Sequence, residues 1–252
     1  MSDLYWLTDE QMERLRPHFP KSHGRPRVDD RRVLSGIIFV NRNGLRWRDA
    51  PPVYGPHKTL YNRWKRWSEA GVFIRMMQRL SGAQAERRTV MIDATYLKAH
   101  RTASSLGVKK GGLGRLIGRT KGGMNTKLHA VTDANGRPIS LFVTAGQVSD
   151  YTGAAALLDS LPRAQWLPGD RGYDADWFRE ALQAKGITPC IPGRKSRTAP
   201  IRYDKRRYKS RNRIEIMFGR LKDWRRVATR YDRCPTVFLS AIALAATVLF
   251  WL

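Results

Sequence analysis

The chain has 252 residues, of which 42% are hydrophobic, so it can bury a core and global disorder is excluded. Lysine and arginine total 47 against 21 acidic residues, which gives a formal net charge of +26. This excess favours a polyanionic partner, with nucleic acid first and an anionic membrane surface second. The two cysteines, Cys190 and Cys234, make neither a disulfide framework nor a zinc site, and no signal peptide is recognised, so we expect a cytoplasmic protein.

The N-terminal 85 residues have the pattern of a small all-α domain. Thr8 is predicted to cap the first helix, and Asp29 or Asp30 the second. A turn-rich connector with prolines follows, because prolines stop helices. The third helix is predicted from about His57 to Glu69, and a short fourth helix from about Val72 to Gln78.

The third helix carries the strongest periodic signal. Leu60, Trp64 and Trp67 recur at helical spacing and are predicted to pack inward. Three helices with a turn before the last resemble a helix-turn-helix DNA reader. In that interpretation the DNA-facing residues are Lys58, Thr59, Asn62, Arg63 and Arg66. A plain helical packing or dimerisation domain is the alternative.

From residue 88 the pattern changes to strands, and residues 86–252 are predicted to form a second domain. Val90–Ile92 is a short apolar run, residues 125–131 alternate, and residues 139–143 return after a hairpin-type turn at 133–136. We expect these three strands to be antiparallel neighbours.

Helices and strands alternate in the next part of the chain. Helices are predicted at about 150–158 and 175–185, with strands just before Asp170 and at 186–191. This order predicts an α/β fold with a mixed sheet and helices packed against it. The apolar run 236–252 is at the short limit for crossing a bilayer, so a buried core helix is favoured over a membrane anchor.

Two basic segments lack apolar periodicity. Residues 104–123 are rich in glycine, lysine and arginine and are predicted to be a mobile loop, because the strand and spacing of a dinucleotide-binding loop are missing. Residues 194–213 include Arg206 and Arg207 and carry one acidic residue, Asp204. A solvated loop is the simple interpretation, and a clamp on the phosphate backbone is the functional one.

Three acidic residues have specific surroundings. Asp93 and Asp170 follow short apolar runs, as carboxylates at strand ends do, and Glu215 lies in a helical pattern. Carboxylates that converge from distant positions can hold two divalent ions roughly 3.5–4 Å apart for phosphoryl transfer, and Mg²⁺ prefers such oxygen ligands. The nearby Asp174 is predicted to cap the following helix, and His129 is interpreted as a half-buried structural residue.

The segment around Glu215 carries a resemblance to a known family. Tyr208, Arg211, Glu215 and Lys222 match the Y-x2-R-x3-E-x6-K signature of bacterial insertion-sequence transposases of the DDE class. Asp93 in Ile-Asp-Ala-Thr and Asp170 in Gly-Asp-Arg-Gly-Tyr-Asp resemble the first two acids of that class. The N-terminal segment resembles the helical domain of the insertion-sequence-five-like branch.

The resemblance implies an RNase H-like catalytic domain behind a helix-turn-helix-like domain. It also implies Mg²⁺ or Mn²⁺, double-stranded DNA with inverted terminal repeats, strand cleavage and joining, and a homodimer that pairs two ends near the nucleoid. Asp93, Asp170 and Glu215 would bind the ions, while Arg211, Lys222 and Tyr208 would contact DNA. A catalytically silent repressor and a nuclease that never joins ends are the alternatives.

Overall fold

The computed structural model describes residues 3–20, 29–82, 88–105 and 114–252. Four helices form its N-terminal part: α1 (Asp9–Leu15), α2 (Asp30–Asn43), α3 (His57–Glu69) and α4 (Val72–Gly82). Thr8 caps α1 in a reciprocal capping box with Gln11, and Asp29 caps α2, so both cap predictions are confirmed. The fourth helix extends beyond the predicted end at residue 78.

Helix α3 begins and ends where the apolar spacing predicts. Leu60, Trp64 and Trp67 are buried, as expected. The connector from α2 to α3 spans residues 44–56 and contains two 3-10 turns, so it is longer than the three or four residues of a tight helix-turn-helix. The helical nature of the N-terminal segment is confirmed, and its role as a DNA reader remains a prediction.

Three long antiparallel strands form the centre of the sheet. Strand β1 (Val90–Ala99) pairs with β3 (Gly123–Asp133), and β3 pairs with β4 (Pro138–Ala145). The turn between β3 and β4 forms because Asp133 Oδ1 accepts hydrogen bonds from the backbone N–H groups of Asn135 and Arg137, each at 2.9 Å. Gly136 supplies the positive φ of 80° that this turn needs.

Two short parallel strands form a second, two-stranded sheet. Strand β5 (Trp166–Pro168) pairs with β6 (Thr188–Cys190), and one isolated parallel bridge from Thr89 to Trp166 links β5 to the start of β1. Antiparallel strands therefore lie on one side of β1 and parallel strands on the other, in agreement with the expected RNase H-like mixed sheet. Helices α6 (Asp150–Leu158) and α7 (Asp176–Ala184) cover one face of this sheet.

The remaining elements are short, apart from two helices near the C-terminus. They are α5 (Arg101–Ser104), β2 (Gly118–Thr120), α8 (Lys205–Lys209), α9 (Asn212–Lys222), α10 (Arg225–Ala228), β7 (Thr229–Arg230) and α11 (Pro235–Phe250). Strand β2 falls within the predicted basic loop 104–123, of which residues 106–113 lie outside the described residues. Strand β7 pairs in parallel with the far end of β1.

One apolar cluster joins the two ends of the chain. It contains residues of α1 to α4, the second face of the sheet, α9 and nearly the whole of α11. The C-terminal run is therefore a buried core helix, as predicted, and within the described ranges no helix has the length and hydropathy to cross a bilayer. The domain division at residues 85 and 86 remains a prediction, because the helices before it share this core with the chain after it.

Candidate active site

Asp93 is the first of the three predicted acids. It is the fourth residue of the ten-residue strand β1, so it lies inside a strand and not at a strand end as its apolar run indicated. The residue is 9% exposed, and its Oδ2 accepts a hydrogen bond of 2.6 Å from Arg211. Burial raises the pKa of Asp93 to about 6, against the opposing effect of the Arg211 guanidinium.

Asp170 follows β5 and begins a 3-10 turn at residues 171–173. Its Oδ1 accepts a hydrogen bond of 2.8 Å from the backbone N–H of Gly172. Burial raises the pKa of Asp170, the hydrogen bond from Gly172 opposes that rise, and the charge of Asp150 adds to it. The negative charge of Asp170 also raises the pKa of Asp93, so the two carboxylates share one electrostatic environment.

Glu215 lies in the first turn of α9, and its side chain is 54% exposed. The guanidinium of Arg211 donates to Glu215 Oε1 as well as to Asp93, so it bridges two acids that are 122 positions apart in the sequence. At the other end of α9, Lys222 Nζ donates to Thr95 Oγ1 at 2.7 Å. Helix α9 is thereby fixed across β1 at both ends.

The donor chemistry of these acids fits a hard divalent cation, because carboxylate oxygens are the ligands that Mg²⁺ and Mn²⁺ prefer. Within the part of the chain that the structure describes, however, no three histidine, cysteine or acidic side chains are arranged to hold a metal ion. Arg211 binds two of the three acids. A divalent ion would therefore compete with the Arg211 guanidinium for Asp93 and Glu215.

The other predicted DNA contacts are spread over the surface. Tyr208 lies beside Arg211, with the guanidinium carbon 5.7 Å from the ring centre. Arg206 is exposed on α8, whereas Arg207 binds Asp204 at 3.1 Å and stacks 4.3 Å from the ring centre of Trp166. Part of the basic segment is thus packed against the protein.

The prediction that Arg63 on α3 faces DNA is wrong. Lys58, Asn62 and Arg66 are exposed along one stripe, as a DNA-facing surface needs. Arg63 is only 6% exposed, and its guanidinium donates to Asp30 at 2.6 Å and lies over Trp67. Its position next to the apolar face places it in the interior.

The predicted cap at Asp174 is also wrong. The residue before α7 is Ala175, and no side chain caps that helix. The carboxylate of Asp174 is instead fully buried and binds Arg179 at 2.8 Å and Arg197 at 2.7 Å. It also accepts a hydrogen bond of 2.7 Å from the backbone N–H of Arg194. Asp174 therefore ties the basic segment to the turn that carries Asp170.

Sequence reasoning missed the pair formed by Lys127 and Asp150, whose ionic contact measures 3.0 Å. A lysine in the middle of an alternating strand was the available signal. His129, two residues along β3, is fully buried and not half-buried as interpreted. Its Nε2 pairs with Thr144 Oγ1 at 2.9 Å and its ring stacks on Phe142, which supports a structural role.

Comparisons with protein families cover almost the whole chain. Residues 7–77 match the family described as "Putative transposase of IS4/5 family", and residues 84–250 match the family described as "Transposase DDE domain". A Brucella ovis protein named "Putative transposase for insertion sequence element IS6501" is 36% identical over 130 residues, which are 51% of this chain and 99% of that protein.

A second relative comes from Burkholderia cepacia, the "Putative transposase for insertion sequence element IS402". It is 30% identical over 156 residues, covering 54% of this chain and 72% of that protein. Among solved structures, the catalytic core domain of BIV integrase is 15% identical, with a TM-score of 0.39, over 65% of this chain and 84% of that one. The Mos1 mariner paired end complex with Mn is 12% identical, with a TM-score of 0.29, over 86% and 88%.

Proposed function

This chain belongs to the bacterial insertion-sequence transposases with a DDE domain, and we propose that it cuts DNA at inverted-repeat ends and joins the freed ends to target DNA. Both steps are in-line displacements at a phosphodiester. Water attacks first, and the resulting 3′-OH attacks the target strand second. Both steps would take place at Asp93, Asp170 and Glu215.

The convergence of side chains around Arg211 supports this assignment. Arg211 binds Asp93 and Glu215 together, and Asp170 is close enough for its charge to act on Asp93. Perturbed carboxylates from distant parts of a chain, gathered at one place in a strongly basic protein, are typical of a catalytic centre for a polyanion. An ion pair with a purely structural role would need Arg211 and one carboxylate, whereas here three acids are gathered around it.

Dependence on a divalent metal follows from the family, and we propose Mg²⁺ as the ion, with Mn²⁺ able to replace it. Asp93, Asp170 and Glu215 would hold it. Such ions activate the attacking oxygen and stabilise the leaving oxygen. The burial of Asp93 and the partial burial of Asp170 serve this chemistry, because electrostatic interactions are stronger where water is excluded.

The basic residues of the site would hold and orient the DNA strand. The planar guanidinium of Arg211 can form two parallel hydrogen bonds to a phosphate once it leaves the carboxylates. Lys222 can bind a backbone phosphate as a point charge, and Tyr208 can stack on a base or sugar. Burial lowers the pKa of Lys222 because it disfavours the charged ammonium group. A phosphate beside this group would stabilise its positive charge.

The partner in this proposal is double-stranded DNA, with Lys58, Arg66 and Arg206 as further phosphate contacts and a homodimer pairing two transposon ends. A protein with that role would be located in the cytoplasm, in association with the nucleoid. If six phosphates are neutralised, a plot of the logarithm of the DNA-binding constant against the logarithm of the salt concentration should have a slope of about −5. The non-catalytic repressor and the nuclease that never joins ends are not favoured by the family membership.

A strand-transfer assay with end-containing DNA and Mg²⁺ tests the assignment. Asp93→Asn, Asp170→Asn and Glu215→Gln should each reduce cleavage and joining by at least a thousandfold, while DNA binding in a gel-shift assay is retained. Glu180→Gln is the matched control, because Glu180 is an exposed acid on a helix outside the site. Retained cleavage in any of the three variants removes that residue from the proposed centre.

A further inference from the structure

The N-terminal segment has the opposite charge to the rest of the chain. Within residues 1–15 four acidic residues stand against one basic residue, Arg14, although the whole chain carries a formal net charge of +26. The four acids are all exposed, and they are Asp3, Asp9, Glu10 and Glu13. We call residues 3–13 the acidic edge. DNA phosphates would be repelled by this surface, so it is suited to a positively charged protein and not to DNA.

The acidic edge also presents two large apolar side chains to solvent. Leu4 is 49% exposed and Trp6 is 40% exposed, whereas Leu7 is fully buried. The backbone is held in place here, because the hydroxyl of Tyr54 accepts from the N–H of Tyr5 and donates to its carbonyl oxygen, each at 2.8 Å. A tryptophan exposed on a fixed backbone is suited to a protein interface, since little conformational freedom is lost when it binds.

A groove with complementary chemistry lies between the β3–β4 turn, α9 and the end of α11. Its volume is about 370 Å³. Three apolar side chains and three arginines line it, and they are Ile216, Leu249, Phe250, Arg137, Arg213 and Arg220. Ile216 is 57% exposed, so apolar surface is open to a partner. We call this the arginine groove. Its apolar surface beside positive charge matches an acidic segment that carries exposed apolar side chains.

Two of the three arginines keep their positive charge available to a partner. Arg213 donates to Ala134 O. Arg220 donates to Leu249 O at 3.3 Å, and its guanidinium carbon lies 4.6 Å from the ring centre of Phe250. Carbonyl oxygens and aromatic rings carry no net charge, so these contacts orient the guanidinium groups without neutralising them. A carboxylate of a second molecule would supply the counter-charge.

The acidic edge and the arginine groove lie side by side. Arg14, which directly follows the edge, donates to Trp251 O at 2.6 Å. The guanidinium carbon of Arg137 in the groove lies 4.8 Å from the ring centre of the same tryptophan. A two-fold axis between the two patches would therefore let the edge of each copy enter the groove of the other. Each contact would then occur twice, and the assembly would close as a dimer.

We propose that the arginine groove binds the acidic edge of a second copy of this chain. Leu4 and Trp6 pack on the apolar surface beside Ile216, and the acids of the edge pair with the arginines of the groove. The inference rests on the proposed function, because it gives the proposed homodimer its surface. It places the partner's N-terminal helices against α9, the helix that carries Glu215.

Sedimentation velocity of the full chain without DNA tests this interface separately from activity. The wild type should sediment as a dimer at micromolar concentration. The edge variant combines Glu10→Lys with Glu13→Lys, and the groove variant combines Arg213→Glu with Arg220→Glu. Each variant should associate at least about a hundredfold more weakly than the wild type, because like charges then face each other. All four residues are exposed, so circular dichroism spectra should be unchanged.

A mixture of the two variants separates a specific contact from a general effect of charge. In the mixture the reversed edge meets the reversed groove, and the unaltered edge meets the unaltered groove. A heterodimer should therefore form although each variant alone is monomeric, and a loss of folding cannot produce this recovery. Asp159→Lys combined with Glu180→Lys is the matched control for the edge variant. Both acids are exposed outside the edge, so this control has the same net charge and should remain a dimer.

Three results would overturn the inference. They are a wild type that is monomeric under these conditions, an edge or groove variant that remains dimeric, and a mixture that stays monomeric. A groove variant that remains dimeric but loses DNA binding in a gel-shift assay would show that the groove faces DNA.

The strand-transfer assay distinguishes failure of this inference from failure of the proposed function. If the edge and groove variants stay dimeric while Asp93→Asn, Asp170→Asn and Glu215→Gln lose cleavage, the interface is wrong and the proposed function stands. If the edge and groove variants and their mixture behave as expected while the three acid variants cleave like the wild type, the interface stands and the catalytic assignment is wrong.

Discussion

Replacing Asp174 by asparagine should be among the most damaging changes to the fold near the candidate site. The carboxylate is fully buried and binds Arg179 and Arg197, and it also accepts a hydrogen bond from the backbone of Arg194. Asparagine keeps the shape but loses the charge, so two guanidinium groups lose their counter-ion. The turn at Arg171–Tyr173, which follows Asp170, would be held less firmly to the basic segment, where Arg194 also donates to Arg171 O at 3.4 Å.

The magnitude follows from the pKa of Asp174. Burial alone would raise this pKa, but the hydrogen bonds from Arg197, Arg194 and Arg179 lower it from 3.8 to about 2. That difference corresponds to roughly 2 kcal/mol of stability at pH 7. Breaking a buried ion pair by removing one partner typically costs about 3–5 kcal/mol. We therefore expect the free energy of unfolding to fall by about 3 kcal/mol.

Urea denaturation followed by tryptophan fluorescence measures this difference. Because the pKa is lowered by folding, the stabilisation is present above pH 4 and is lost as the pH falls from 4 towards 2. The gap between wild type and Asp174→Asn should therefore shrink to roughly half at pH 3. Asp176→Asn is the control, since its side chain is 72% exposed, and should cost less than about 1 kcal/mol. Equal losses for the two variants, or a gap that stays constant in acid, would refute the reasoning.

Three further predictions concern single side chains. Arg211→Lys keeps the charge but replaces the planar guanidinium, which can form two parallel hydrogen bonds to a phosphate, by a single ammonium. DNA cleavage should therefore fall at least about tenfold with an unchanged circular dichroism spectrum, and wild-type cleavage would contradict the proposed phosphate contact. Burial lowers the pKa of His129 to about 4, so its ring should titrate near pH 4 by NMR, and a midpoint near 6.5 would show that the ring is solvated. Arg230 is fully buried and donates to Thr126 and to the carbonyls of Asp232 and Arg233. Arg230→Met removes these hydrogen bonds, so it should lower the free energy of unfolding by about 3 kcal/mol in urea titrations. An unchanged free energy of unfolding would exclude a role for Arg230 in anchoring β7.

Local patterns predicted the elements well where the apolar spacing was strong. Helix α3 was predicted between His57 and Glu69 because its apolar residues recur over three turns, and the structure has these same bounds. Strand β1 was predicted too short. Its apolar run ends at Ile92, whereas the strand continues to Ala99 through residues that are mostly half-buried or exposed. The apolar run marks only the most buried part of the strand, and backbone pairing with β3 determines how far the strand extends.

Long-range ion pairs were the main features that sequence reasoning missed. Asp174 was interpreted as a helix cap because a helix starts just after it. Its partner Arg197 comes from a segment that has no apolar periodicity, so only the fold brings the two together. Lys127 and Asp150 are likewise 23 positions apart. The triad was predicted because each acid has a distinctive local context, which these pairs lack.

The common core of the N-terminal helices and α11 limits how relatives of this protein can exchange parts. Helix α11 packs against α3 and α4, and its apolar side chains belong to the same buried cluster as theirs. Recombination could join the N-terminal helices of a relative to the segment that contains α11. Helix α11 would then pack against side chains of different size, which leaves cavities or forces overpacking. Exchange of a whole N-terminal unit should therefore succeed only when α11 is replaced together with it.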